Sequence, residues 1–182
     1  MSNIWLTSDT HFNDKWIFGA KLKDGRKVRP NFDTISEMDE HIIECWNSVV
    51  RPNDIVWHLG DCVLGDNPVE WMEKNWHRLN GTKNLIVGNH DKINMICENK
   101  WFNEVALWKI DFDKKLMLTH APVHENVSWI YNKVENIFVD EKMPLLNVHG
   151  HIHREQSPKG RYKCVCVEQT NYTPVNINEL EL

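Results

Sequence analysis

"IVWHLGDCVLGDNPVEWMEKNWHRLNGTKNLIVGNHD", residues 55–91, reads as strand, helix, strand. The strand-like runs at 54–58 and 83–87 are short, and a glycine with a polar residue closes each, Gly60-Asp61 after Leu59 and Gly88-Asn89 directly after Val87. Runs of this length bounded by turn residues suit buried strands. Between them, Asn67 and Pro68 make a good helix start, because proline at the first helical position gives up no hydrogen bond, and the amphipathic stretch runs over 67–79. Two strands joined by a crossover helix make a βαβ unit, whose strands lie parallel in one sheet.

The same alternation continues on both sides. Strands are expected at 3–8, 104–112, 115–119, 145–149 and 161–168, and further helices at 33–50 and 91–100. The helix at 33–50 places Ile35, Met38, Ile42, Cys45, Trp46 and Val49 on one stripe, and Asp33 or Thr34 can cap it, Thr34 with Glu37 having capping-box spacing. Residues 104–112 and 115–119 read as a hairpin around Asp113 and Lys114. "KLKDGRKVRP", residues 21–30, reads as a basic hairpin with an Asp-Gly turn. The chain is therefore α/β with mixed sheets, and 182 residues suit a single domain over 1–182.

Composition narrows the function classes. With 41% hydrophobic residues, the chain has no apolar run near the roughly 18–20 residues that span a bilayer. The start, "MSNIWLTSD", lacks the features of a secretory signal. Five cysteines without a C-x-x-C pair argue against a disulfide framework or a thiolate zinc site, and fit a cytoplasmic protein. A formal charge of −5 argues against stable duplex nucleic-acid binding, while a homo-oligomer stays open.

Chemistry collects at the strand ends. "IWLTSD" ends in Asp9 with His11 just beyond, and "IVWHLGD" ends in Asp61. "LIVGNHD" supplies Asn89, His90 and Asp91, "LMLTH" supplies His120, and "NVHGHIH" supplies His149, His151 and His153. In α/β folds ligands bind beyond the carboxyl ends of the strands, so these segments are expected to converge. Carboxylates, imidazoles and an amide oxygen without thiolates suit Mn²⁺, Fe or Zn²⁺ better than Ca²⁺. There are more donors than one ion accepts. Two divalent ions about 3.5–4 Å apart, bridged by a carboxylate and carrying a hydroxide nucleophile, are the economical reading, with Mn²⁺ favoured and Ni²⁺ also possible.

These segments resemble the motifs of the calcineurin-like metallophosphoesterases, and among them the small uncapped bacterial and phage-type enzymes. They are D-x-H (9–11), G-D (60–61), G-N-H-D (88–91), a lone histidine after a strand (His120) and G-H-x-H (150–153), in order over residues 9–153. The resemblance implies a four-layer αββα sandwich of two mixed β-sheets flanked by helices. It also implies that Asp9, His11, Asp61 and His153 hold one ion, and Asp61, Asn89, His120 and His151 the other. His90 would face the phosphate and protonate the leaving oxygen or stabilise developing charge, with Asp91 orienting its ring. His149 is left as a supporting residue.

Other histidines have blander readings. His58 is expected in the core or behind the ligands, His41 and His77 on the surface, and His124 in a solvated loop. Tryptophans 71, 76, 101, 108 and 129 are expected as packing anchors, and Cys164 and Cys166 as inert filling. Where relatives often continue D-T-H-F with Gly-His, this chain has "NDKW", which bears on substrate choice. The basic hairpin reads either as a solvated surface hairpin or as a grip on a second phosphate or a nucleotide, with Arg26 and Arg29 the candidates to meet a substrate phosphate. The expected activity is a phosphodiesterase acting on a small cyclic or linear nucleotide. A phosphomonoesterase or protein phosphatase, a nuclease, and a silent metal-binding scaffold are the alternatives.

Overall fold

The computed structural model describes residues 2–123 and 145–180. Its strands are β1 (Ile4–Thr7), β2 (Ile55–His58), β3 (Thr82–Ile86), β4 (Val105–Ala106), β5 (Trp108–Asp111), β6 (Leu116–Thr119), β7 (Leu146–His149), β8 (Tyr162–Cys164) and β9 (Val175–Asn176). The α-helices are α1 (Lys15–Gly19), α2 (Ile35–Val49), α3 (Pro68–Asn75) and α4 (Ile93–Asn99). One sheet has the order β4-β3-β2-β1-β9, parallel except for β9. The other has the order β5-β6-β7-β8, with β5 antiparallel to β6 and the rest parallel.

Side-chain alternation explains how the sheets stack. From β1 and β2, Ile4, Leu6, Ile55 and Trp57 point into an apolar layer shared with Leu116, Leu118, Leu146 and Val148 of the second sheet. Their neighbours Trp5 and Val56 point the other way, into a core with Met38, Ile42 and Trp46 of α2 and Met72 of α3. A strand buried on both faces must be apolar at nearly every position, which is why these strands read as continuous runs. The result is an α/β sandwich of two mixed sheets. All four described α-helices contribute to the core on the first sheet's outer face.

Several local readings hold. Thr34 caps α2 by accepting from the Glu37 N–H at 3.1 Å, while the Glu37 carboxylate accepts from the Asp33 N–H. The β5–β6 hairpin turns where expected, with Asp111 pairing with Leu116. Trp71 stacks on Phe12 with ring centroids 4.4 Å apart, Trp76 is buried, and Trp101 and Trp108 are half-buried. His58 is buried, donating to the Thr10 hydroxyl, and His77 is exposed. His41 is not a plain surface residue; its ring packs against Phe32 and Tyr172. His124 and Trp129 lie outside the described residues.

Two expected strands are redrawn. The run 104–112 divides at Leu107, which is 69% exposed: β4 belongs to the first sheet and β5 to the second. The run 161–168 pairs with β7 only through Cys164, then crosses over so that Cys166 bridges Ser8 at the end of β1. The five-residue α1 and the two-residue β9 are too short to show periodicity and had no counterpart in the reading above.

Asp39 of α2 ties helix to loop: it accepts from the Asn13 N–H at 3.0 Å and from the Trp71 indole N–H at 2.8 Å. Burial pushes its carboxyl up to about 7. A carboxyl whose folded value is raised keeps a proton that the unfolded chain has lost. Its contribution is therefore complete below about pH 4, the unfolded value, and is lost as pH rises through 7. Asp39→Asn should flatten that loss, on the order of a few kcal/mol. Urea midpoints of EDTA-treated protein at pH 4.5 and 7.5 would check it; equal slopes for variant and wild type would refute it.

Candidate metal centre

β1, β2 and β3 are neighbours in one sheet and β6 and β7 in the other, so their carboxyl ends open on one crevice. Backbone bonds sew the exits together. Asp9 N–H donates to the Gly60 carbonyl at 2.9 Å, His11 N–H to the Asp61 carbonyl at 3.1 Å, and Gly150 N–H to the His120 carbonyl at 2.7 Å. The approach is closest at two glycines. A Cβ on Gly150 would lie 1.9 Å from the Ser8 hydroxyl and 2.3 Å from an Asp9 carboxylate oxygen. One on Gly88 would lie 2.2 Å from Asp61 Oδ1.

The backbone is also bent at the donors themselves. Asp9, His11, Asp61, His151 and His153 all have positive φ, between 48° and 71°. Each costs an L-residue roughly 1–2 kcal/mol, a strain that persists only where surrounding structure imposes it and that clusters at functional sites.

The side chains converge in two groups: Asp9, His11 and His153, and Asp61, His120 and His151, with donor atoms within 4.8 Å of one another in each. In the first, His11 Nε2 and His153 Nε2 each stand 3.9 Å from Asp9 Oδ1. In the second, His120 Nε2 lies 2.9 Å from Asn89 Oδ1 and 3.2 Å from His151 Nδ1. Asp61 joins them. Its Oδ2 is 3.6 Å from His11 Nε2 and 3.4 Å from His120 Nε2.

The donors fit cations. Asp9 Oδ1 and His11 Nε2 are buried, yet neither has a hydrogen-bond partner among the described residues. Such orphaned polar atoms are costly unless an ion satisfies them. Three imidazoles are held by their other nitrogen. His11 Nδ1 faces the Asp14 carboxylate at 2.7 Å, His153 Nδ1 faces Glu168 at 3.0 Å, and His120 Nδ1 faces the Leu59 carbonyl at 2.7 Å. With Nδ1–H donated outward, each Nε2 presents a lone pair inward, the arrangement that orients a metal-binding histidine. The His120 lone pair then meets an Asn89 oxygen, and two acceptors converge favourably only around positive charge.

Electrostatics say the same. Burial works against ionising Asp9, but the His11 contact, the charges of His120 and His153 and the Ser8 hydroxyl outweigh it and hold the carboxyl well below its usual range. Burial likewise opposes charge on His11, yet Asp14 and Asp9 raise it to about 9. The crevice is built to hold positive charge.

A family model described as calcineurin-like phosphoesterase matches residues 2–155. The chain belongs to this family. Over 98% of its length it is 31% identical to an uncharacterized protein, MJ1445, of Methanocaldococcus jannaschii, covering 89% of that protein. Over 50% of its length it is 36% identical to the gene 66 protein of Mycobacterium phage L5, covering 41% of that protein. Among solved structures, a protein of unknown function, AQ665, from Aquifex aeolicus superposes with a TM-score of 0.67 and 27% identity, covering 98% of this chain and 97% of that one.

Within this phosphoesterase frame, some expected roles change. Asp91 does not reach the His90 ring. Its carboxylate accepts from the backbone N–H groups of Asp61, Cys62 and Gly88 at 2.9, 3.0 and 2.8 Å, tying the two loops together. Burial, with the Asp61 charge, pushes that carboxyl above its usual range despite the three donors.

Arg29 does not face the crevice. It is fully buried, donating to the carbonyls of Asp9 at 2.6 Å and Thr10 at 2.8 Å and to Glu168 at 2.8 Å. Its role is structural, because the guanidinium is wholly inaccessible and already paired with acceptors of the protein. Arg26 sits exposed at the hairpin tip, paired with Asp24. His90 and Asn89 are exposed at the crevice rim, and the His90 N–H donates to Asp61 Oδ1 at 2.8 Å. His149 is buried, with its nitrogens at the Gly150 carbonyl (2.9 Å) and the Ser157 hydroxyl (3.0 Å), and takes no place among the donors.

Asp14, Glu168, Ser8 and the Leu59 carbonyl were not foreseen. Asp14 alone carried a local signal, lying three residues beyond His11.

Proposed function

We propose that the chain is a dinuclear metal-dependent phosphodiesterase that cleaves a small nucleotide diester in the cytoplasm, with Mn²⁺ the favoured ion. The observation that carries this reading is Asp61 Oδ2, placed 3.6 and 3.4 Å from imidazole nitrogens of the two groups, so that one charged oxygen serves both. Asp9, His11, His153 and Asp61 would hold one ion, and Asp61, Asn89, His120 and His151 the other. When bound, such a pair supplies Lewis-acid charge to phosphoryl oxygens and acidifies water.

The chain's own residues do the rest. Asp14 and Glu168 fix two ligand rings, and the Asp91 carboxylate holds the loop that presents His90. His90 stands at the rim with its ring 5.9 Å from that of His11, where it can hydrogen-bond a phosphoryl group and give a proton to the leaving oxygen. A monoester dianion calls for more cations than a diester monoanion. With Arg29 turned into the protein and Arg26 paired at the hairpin tip, the diester suits this crevice better.

Parallel assays of Mn²⁺-loaded protein on bis-4-nitrophenyl phosphate and 4-nitrophenyl phosphate test the substrate class. The diester should win in kcat/KM by an order of magnitude; a preference for the monoester would overturn the reading. His90→Ala should keep its ions and lose roughly 10²–10⁴-fold in kcat. Unchanged turnover would remove His90 from the mechanism.

A further inference from the structure

The first group of donors has a neighbour that none of the motifs describes. A cavity of about 510 Å³ opens beside His153, walled by Trp16, which ends the "NDKW" segment, by Ile17 and Ala20 just after it, and by Lys21 and Val28 from the basic hairpin. Trp16 is 68% exposed, an indole face left in water next to a candidate metal ligand. Its backbone is tied to the centre. Asp14 accepts from the Trp16 backbone N–H at 2.8 Å with one oxygen and holds His11 Nδ1 at 2.7 Å with the other, so the start of α1, which carries the indole, is anchored beside the metal centre through one carboxylate.

The hairpin wall is equally defined. Val28 N–H donates to the Ala20 carbonyl at 2.9 Å, and Lys21 pairs across the hairpin with Lys27, whose ammonium lies over the Phe18 ring at 5.2 Å. Lys15 is held by Asp66, whereas Lys21 has no carboxylate partner among the described residues. An exposed aromatic face, an uncompensated ammonium and direct continuity with a phosphoryl-binding crevice match one ligand chemistry: a planar base joined to further phosphate. Stacking is tolerant of base identity, because every base has a π-face.

We infer that this cavity is the subsite for the nucleoside arm of a linear nucleotide substrate, with Trp16 stacking on the base and Lys21 meeting a second phosphate. The inference rests on the phosphodiesterase reading above. It moves the hairpin's contact with substrate from Arg26 and Arg29 to Lys21.

The test uses AMP and ADP binding to Mn²⁺-loaded protein by calorimetry, together with two chromogenic diesters, thymidine 5′-(4-nitrophenyl phosphate) and methyl 4-nitrophenyl phosphate. Trp16→Ala should weaken AMP about tenfold, the size expected for loss of one stacked base, and Trp16→Phe should restore most of it. The ratio of kcat/KM for the nucleotidyl ester to that for the methyl ester should fall by a similar factor in Trp16→Ala, through KM. Lys21→Ala should narrow the preference for ADP over AMP. AMP binding and a substrate ratio unchanged in Trp16→Ala would overturn the subsite, even with both diesters still cleaved. Wild-type protein that cleaves neither diester would instead overturn the parent reading, with the AMP comparison still deciding whether Trp16 binds a base.

Discussion

Asp61→Asn is expected to abolish hydrolysis and to weaken both ion sites together. The carboxylate is shared: Oδ2 faces imidazole nitrogens of both groups, while Oδ1 accepts from the His90 N–H at 2.8 Å. An amide keeps the shape and one acceptor but removes the charge, and its NH₂ is a poor ligand where a lone pair is needed. Losing the shared ligand removes several kcal/mol of transition-state stabilisation, a fall of roughly 10³-fold or more in kcat/KM. Circular dichroism should show a folded variant, and metal analysis should show both ions depleted. A variant that lost only one ion would show that Asp61 belongs to one group.

Arg29→Met is expected to give the largest loss of stability. Its guanidinium and the Glu168 carboxylate are both fully inaccessible, and truncating one partner leaves the other charge buried and unpaired. Such losses run to about 3–5 kcal/mol. Burial opposes ionisation of Glu168, and the Arg29 charge, with His153, is what keeps it lowered. The effect should reach the metal centre, because Glu168 holds His153 and Arg29 holds the carbonyl of Asp9. Both residues belong to the first group, so that ion should weaken more than its neighbour. Denaturant midpoints and metal titration would measure the two effects, and Arg29→Met combined with Glu168→Gln should recover part of the stability. A variant as stable as wild type would mean that the pair contributes nothing.

The donors were legible because each is a local signature: an apolar strand, a small residue where the backbone comes close, then a ligand. Gly88 and Gly150 show why the pairing is compulsory, since a Cβ at either would collide with Asp61 or with Ser8 and Asp9. The sheet order was less legible. Residues 104–112 look like one strand because Glu104 to Phe112 has no turn residue at Leu107, and only the competing partners β3 and β6 divide it. Arg29 was misread for the same kind of reason. In a run of lysines and arginines a solvated side chain is the natural reading, and the partner that buries Arg29 lies 139 residues away. The resemblance implies that Asp91 orients the His90 ring, whereas its three amide donors come from Asp61, Cys62 and Gly88, contacts that no local pattern announces.

The central claim is that two groups of donors, sharing Asp61, hold two ions that make this chain a phosphodiesterase. Its most direct test is stoichiometric: metal-free protein titrated with Mn²⁺ while bound ion and diester hydrolysis are followed together. The account predicts two ions per chain, with activity rising in step with the second. Full activity at one ion per chain, or two bound ions with no diester hydrolysis, would contradict it.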